Sequence, residues 1–396
     1  MRILWVKTEL LHPVDKGGRI RTYQMLRALA SEHQVTYLCL DDGAAAPDAG
    51  QRAAEYCADL VRIPFHPASK SGPGFFLDLA ANLFSSLPYA IARYRSEALR
   101  AELTRLASHQ DLIVCDFLFP SQNVPPNLGV RTVLFQHNVE ATIWQRHAEV
   151  ATDPLRRAYL RRQWRRMRRF EGEECRRFDR VIAVSDSDAA AIRAEYGVAE
   201  VSSVPTGVDL EYFVAPAVPV RRNAEMLFVG SMDWMPNEEG IRWFAERVFG
   251  SVRARIPDAT LTVVGRAPSE KLRRLAERTD GLHVIGTVPD VRPYLTRAGV
   301  CVVPLRVGGG TRIKIYEAMA MGVPVVSTTI GAEGLPVRHG EQLLVADTPE
   351  DQADAILRLM SDPAEAQRLS TSALGFVRRH GSWRAVAETF LAQCVA

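Results

Sequence analysis

Twelve short apolar runs alternate with longer stretches of helical periodicity over nearly the whole chain, and this rhythm leaves few architectures open. Residues 3–6, 34–40, 60–63, 112–115, 132–135 and 181–184 make a first set of six; residues 226–229, 261–264, 282–285, 300–303, 324–327 and 343–345 make a second. Strands that are apolar on both faces and separated by helices belong to parallel sheets with helices on each side. The pattern predicts two doubly wound α/β domains. Between them, Val204-Pro205-Thr206-Gly207-Val208-Asp209 and the aperiodic, Pro- and Val-rich stretch over 214–220 mark a boundary. The expectation is an N-terminal domain over 1–205, a C-terminal domain over 206–380, and a last helix over 381–396 that packs back on the first domain. Open α/β sheets bind ligands beyond the carboxyl ends of their strands. Two such domains facing one another would enclose a cleft for two substrates.

The chain has 396 residues, enough for two substantial cores. Its 49 basic and 46 acidic residues leave a net charge of +3, so the protein as a whole is not a polyanion binder and any basic surface is local. No apolar run approaches the ~20 residues that cross a bilayer, and the start of the chain has too short an apolar core for a signal peptide. Six cysteines, at 39, 57, 115, 175, 301 and 394, show no CxxC spacing; Cys39, Cys115 and Cys301 sit in strand-like runs, where a thiol acts as a small apolar filler. A reduced, cytoplasmic setting is expected.

The densest concentration of chemistry is Gly308-Gly309-Gly310-Thr311-Arg312-Ile313-Lys314-Ile315-Tyr316-Glu317, which follows the apolar run over 300–305. Glycines bring bare N–H groups close to an anion, and the helix N-terminus, Arg312 and Lys314 add positive charge. Three residues past Lys314, Glu317 offers a carboxylate suited to a pair of sugar hydroxyls. Phosphate at one end and ribose at the other point to a nucleotide. The bland alternative is a strand-to-helix turn with Thr311 as N-cap and solvated Arg312 and Lys314.

A second glycine pair, Gly17-Gly18, reads as a loop after the first strand, open to a ligand or simply a tight turn. Neither loop matches a dinucleotide fingerprint or a P-loop. His137, Asn138 and Glu140 cluster directly after the fifth run, where α/β domains place functional groups and where His exchanges protons near neutrality. Eleven arginines lie between Arg156 and Arg180, on an amphipathic helix with Leu160, Trp164 and Met167. Such a helix suits either an anionic membrane face or a solvated surface balanced by Glu171, Glu173, Glu174 and Asp179. Asp186-Ser187-Asp188 resembles a metal motif but stands at a helix start, where aspartates cap. No metal-ligand cluster is legible.

At this point the chain resembles family 4 of the retaining glycosyltransferases, also called glycosyl transferases group 1. The resemblance rests on residues 204–209, 227–231, 261–265, 286–291 and 314–326, and more loosely on Gly17-Gly18, 137–140 and 181–185. It implies a GT-B architecture of two facing Rossmann-like domains, the N-terminal one for the acceptor and the C-terminal one for the donor. Glu317 matches the second glutamate of the family's paired-glutamate motif, which holds the ribose, while Gly309 stands where relatives place the first. The Arg and Lys that many members carry after the first C-domain strand are replaced here by Ser231-Met232-Asp233-Trp234-Met235-Pro236-Asn237-Glu238. Arg312 and Lys314 look like their substitute, as in a branch with a Gly-Gly-Thr-Arg-x-Lys loop.

The resemblance also implies the roles. Arg312, Lys314 and His137 would be catalytic; Gly17, Gly18, Gly230, Ser231, Gly265, Arg266, Val288, Gly309, Gly310, Thr311 and Glu317 would hold the donor; Asn138 and Glu140 would meet the acceptor. No metal or other cofactor is implied. The expected activity is retaining transfer of a sugar from a nucleoside-diphosphate donor to a glycan or lipid-linked acceptor in the cytoplasm, with no nucleic acid involved. A nucleotide-sugar 2-epimerase on the same architecture and a non-catalytic nucleotide-sugar-binding subunit are the alternatives.

Overall fold

The computed structural model describes residues 1–66, 78–82, 84–216, 222–307 and 312–396. The chain divides into two compact units: Met1–Pro205 with Trp383–Ala396, and Thr206–Ser382.

In the first unit, β1 (Arg2–Lys7), β2 (Gln34–Asp41), β3 (Asp59–Pro64), β4 (Leu112–Asp116), β5 (Arg131–Gln136), β6 (Arg180–Ala183) and β7 (Val201–Ser203) form one parallel sheet in the order β3-β2-β1-β4-β5-β6-β7. Its middle strands are apolar on both faces: Ile3, Leu4, Trp5 and Val6 of β1 are all fully buried. Each such side chain contributes roughly 1.5–3 kcal/mol on leaving water. β7 escapes sequence reading because it is a three-residue edge strand whose residues beyond Val201 are serines.

The last helix, Trp383–Val395, belongs to this unit. Its buried Phe390 ring lies 5.6 Å from Trp5 and 4.8 Å from Phe135, and Gln393 donates to the Ser203 carbonyl. The apolar residues on one side of this helix thus complete a core that the strands leave open.

In the second unit, β8 (Arg222–Val229), β9 (Thr260–Val264), β10 (Leu282–Gly286), β11 (Ala298–Val303), β12 (Val325–Ser327) and β13 (Leu344–Val345) form a parallel sheet in the order β10-β9-β8-β11-β12-β13. Met226, Phe228 and Val263 from the strands pack with Ile241, Phe244 and Val252 from the covering helices. In both sheets the chain winds outward from a central pair, β1/β4 in one and β8/β11 in the other. At such a reversal the connecting loops part and leave a crevice at the carboxyl ends of the strands.

Candidate functional site

Three glycines stand side by side at the carboxyl ends of β8, β9 and β10. The Gly230 amide donates to the Val264 carbonyl, and the Gly265 amide donates to the Gly286 carbonyl. A Cβ on Gly265 would fall 1.7 Å from the Gly230 carbonyl oxygen, so this position admits no side chain. Beyond this ladder, Arg266 donates to the Ser231 hydroxyl at 2.6 Å and to Asp233 at 2.8 Å. The Arg266 guanidinium therefore braces the loop after β8. Val288, half-buried, packs on the apolar cluster beneath.

On the other side of the same reversal, the helix Ile313–Ala320 follows β11. Ile313, Ile315, Tyr316, Ala318, Met319 and Ala320 are buried, which leaves Lys314 and Glu317, three residues apart, as its half-buried polar pair. The Lys314 Nζ donates to Asn237 Oδ1 at 2.6 Å, and Asn237 in turn donates to the Ser231 carbonyl at 2.8 Å. The ammonium lies 4.5 Å from the Phe228 ring and so close to Gly230 that a Cβ there would sit 2.7 Å from Nζ. Among the described residues it has no carboxylate at ion-pair distance. Burial, with Arg312 next, pulls the Lys314 pKa down to about 7, while burial pushes Glu317 up to about 7, opposed by Lys314. Both groups thus lie where a nearby charge readily changes their protonation at neutral pH.

Arg312 stands at the start of the same helix. It is the N-cap of this helix with φ 49°, its guanidinium is buried, and it donates to the Ile330 carbonyl at 2.7 Å with Glu333 at 3.7 Å. In this arrangement it anchors the following short helix, Thr329–Ala332, and Lys314 is the cation beside the glycine ladder. Gly308, Gly309, Gly310 and Thr311 lie outside the described residues.

The first unit answers with a different arrangement. The register Val6↔Cys115 brings Lys7 beside Asp116, and Trp5 shares the Lys7 face of its strand. Asp116 Oδ2 accepts from Trp5 Nε1 at 3.0 Å, Lys7 Nζ at 2.7 Å and the Thr22 hydroxyl at 2.6 Å. Asp116 Oδ1 lies 2.7 Å from His137 Nε2. All three charged or titratable groups are at most 2% exposed. Burial acts to raise the Asp116 carboxyl, but Lys7 and His137 outweigh it and hold it below the usual carboxylate range. Burial holds His137 neutral, down to about 4. Phe117 stacks on the imidazole with ring centres 3.8 Å apart.

Gly17 and Gly18 are not a loop, contrary to the sequence reading: they open the helix Gly17–Ala30 with Lys16 as N-cap. A Cβ on Gly18 would lie 2.9 Å from the Phe117 ring. The bare glycine makes room for that ring.

Glu140 heads the helix Glu140–Val150 and receives a bond from Asn138 at 3.2 Å. It is buried beside Glu171, whose carboxylate accepts from the Glu140 and Ala141 amides and the Tyr196 hydroxyl. Burial raises both carboxyls, to about 7.

At Asp186-Ser187-Asp188 the cap is Ser185, whose hydroxyl accepts from the Asp188 amide. On the arginine-rich helix Pro154–Arg177, Arg166 donates to Asn82, Arg168 pairs with Glu195, Arg169 with Glu173 and Arg177 with Glu174. Arg161 and Arg165 are exposed, and Leu155 at 83% and Phe84 at 94% exposure are large apolar side chains left in solvent. Lys7, Asp116, Phe117 and Asn237 were not singled out by sequence. The available signal was a charge placed directly after an apolar run, at Lys7 in one strand and Asp116 in its neighbour.

Two family models match successive parts of the chain. Residues 16–212 match the model of Glycosyltransferase Family 4, and residues 223–362 match that of Glycosyl transferases group 1. The chain belongs to the glycosyltransferases of group 1 and family 4. Among its relatives are a 44.6 kDa protein of the cps region of Klebsiella pneumoniae, 31% identical over 40% of this chain and 42% of that one, and the phosphatidyl-myo-inositol mannosyltransferase of Mycobacterium tuberculosis, 29% identical over 53% and 57%. The chain spans about half the length of the curated relatives it matches. Anabaena HepE in complex with UDP and glucose superposes with a TM-score of 0.71 at 13% identity, covering 99% of this chain and 98% of that one. WaaG, a glycosyltransferase involved in lipopolysaccharide biosynthesis, does so with a TM-score of 0.68 at 14% identity, covering 99% of each chain. These likenesses show the GT-B fold of this glycosyltransferase-family chain.

Proposed function

We propose that this chain is a retaining, metal-independent glycosyltransferase that moves a sugar from a nucleoside-diphosphate donor to a glycan or lipid-linked acceptor in cell-surface polysaccharide or glycolipid synthesis. The observation that carries the reading is the Lys314 ammonium at the β8/β11 reversal, poised over the side-chain-free Gly230 with Glu317 one turn further along its helix. Departure of a nucleoside diphosphate leaves charge on its outer phosphate. A preorganised cation at the strand ends stabilises that charge without a divalent ion. Glu317, raised toward neutrality in the free protein, becomes an ionised acceptor for the two ribose hydroxyls once they bind. A UDP-bound structure among the fold neighbours and a mannosyltransferase among the relatives support a nucleotide-sugar donor.

The test is a thermal-shift panel of UDP, GDP and ADP with UDP-glucose and GDP-mannose, on the wild type and Lys314→Ala. At least one nucleotide should raise Tm in the wild type, and Lys314→Ala should lower kcat by about two to three orders of magnitude while the free protein stays folded. Stabilisation by none of them, or an unchanged rate, sinks the reading.

Peripheral binding to an anionic membrane is part of the same proposal. It rests on the exposed Arg161 and Arg165 on a helix that also leaves Leu155 in solvent. Arg161→Gln with Arg165→Gln should weaken sedimentation with phosphatidylglycerol vesicles; equal binding returns the helix to an ordinary solvated face.

A further inference from the structure

We propose that Asp116 is a positioning residue for His137: it fixes the proton of the imidazole on Nε2 and so presents Nδ1 as a bare acceptor for a substrate hydroxyl. The inference rests on His137 serving the substrate site, as the functional reading above holds.

The donors around Asp116 divide its two oxygens. Trp5, Lys7 and Thr22 all converge on Oδ2, at 3.0, 2.7 and 2.6 Å. Among the described residues Oδ1 has no such donor; it lies 2.7 Å from His137 Nε2, a contact in which neither atom meets full hydrogen-bond alignment. A bare ring nitrogen at that distance would set its lone pair against a carboxylate oxygen. The proton therefore belongs on Nε2. The negative charge of Asp116 is already matched by Lys7, and Arg21 as well as Lys7 opposes a second proton on the ring. His137 is thus a neutral imidazole with one defined tautomer.

Its orientation is fixed by rings. Phe117 stacks at 3.8 Å and 25°, and Phe135 meets the imidazole edgewise at 4.5 Å and 61°. Phe117 is held in place at φ 74°, a conformation that a bulky residue rarely adopts, with Lys7 Nζ 4.3 Å from its ring centre and Gly18 beneath it. The result is an imidazole whose Nδ1 is buried and has no hydrogen-bond partner among the described residues. Buried polar atoms are paired in nearly all proteins, and an unpaired one asks for a ligand group. Because Nε2 holds the proton, that group is a donor. A sugar or acceptor hydroxyl qualifies; a phosphate oxygen or a carboxylate does not. The orienting carboxylate acts as in other carboxylate–histidine pairs, through the ring and not on the reacting atoms.

Replacement of Asp116 by Asn tests this sharply. Trp5, Lys7 and Thr22 would all demand the amide oxygen, which turns the amide NH2 toward His137 Nε2 and forces the proton to Nδ1. Long-range 1H–15N correlation spectra of 15N-histidine-labelled protein, with His137 assigned by loss of its signals in His137→Gln, read the tautomer directly. The wild type should show the Nε2–H form, and Asp116→Asn the Nδ1–H form. A wild-type spectrum of the Nδ1–H form overturns the proposal without any variant, and an unchanged tautomer in Asp116→Asn overturns the role of Asp116. If Asp116→Asn does not fold, Lys7→Met with Asp116→Asn removes the charge on both sides of the pair and carries the same measurement, since Trp5 still requires the oxygen. Neither spectrum depends on transferase activity. Turnover of His137→Gln tests the functional reading separately, and an unchanged rate there removes His137 from the substrate site while leaving the tautomer result intact.

Discussion

The two sheets reverse their winding in the same way, at β1/β4 and at β8/β11, yet they treat the charges placed there in opposite fashion. At the first reversal, Lys7 and Asp116 are sealed from solvent and matched to each other, with Trp5 and Thr22 also donating to Asp116 Oδ2 and His137 lying against Oδ1. At the second, Lys314 and Glu317 are half-buried, share a helix face, and are each shifted toward the neutral form by desolvation, with no ion pair to either at close range among the described residues. The difference separates a charge pair matched within the fold from one left open, as the proposed donor site requires. A buried ion pair satisfied internally is costly to break, whereas an under-partnered cation in a crevice gives up little when removed.

Lysine-to-methionine replacement at the two positions can break this comparison. Lys7→Met leaves Asp116 buried and uncompensated, so the unfolding free energy at pH 7 should fall by about 3–5 kcal/mol. Lys314→Met removes a group that folding already holds below its ordinary pKa, and stability should change by no more than about 1 kcal/mol. Urea denaturation, read as the midpoint shift for each variant, checks both. Similar losses at the two positions would mean that Lys314 is also structural.

How far these features were legible in the sequence depends on how local they are. The strands of both sheets announced themselves as short runs rich in Val, Ile, Leu and Cys, and the short Ser-containing β7 failed to do so. Lys314 and Glu317 were readable because they are the polar residues of an otherwise apolar eight-residue helix. The Lys7–Asp116–Thr22–His137 network was not, because its members are separated by as many as 130 residues and meet only once the strands pair and the helix Gly17–Ala30 packs on them. Gly17-Gly18 read as a loop for a related reason: a glycine pair signals a turn or a close approach, but the sequence does not say that it opens a helix against a Phe ring. Arg312 likewise carries the same charge in either role, and only the positive φ and the Ile330 contact show that its guanidinium is turned to the neighbouring helix.

The smaller effect sharpens the second half of the comparison through pH. Burial lowers the Lys314 pKa to about 7 in the folded protein, against roughly 10.4 in an unfolded chain. Between these values the unfolded state holds more protons than the native state, so this group makes the free protein more stable as pH rises through that window. A bound diphosphate reverses the sense. It favours the ammonium, raises the Lys314 pKa in the complex, and draws a proton onto the amine when the ligand binds above pH 7. Nucleoside-diphosphate affinity should therefore weaken by up to about tenfold per pH unit from 7.5 to 9, the linkage limit for one proton. The terminal phosphate, with a second pKa near 6, is already fully ionised there and does not contribute. Isothermal titration at pH 8 in two buffers of different ionisation enthalpy should show proton uptake by the wild type and none by Lys314→Met. A flat affinity profile in the wild type would place the diphosphate away from Lys314, and the contrast between the two reversals would then rest on stability alone.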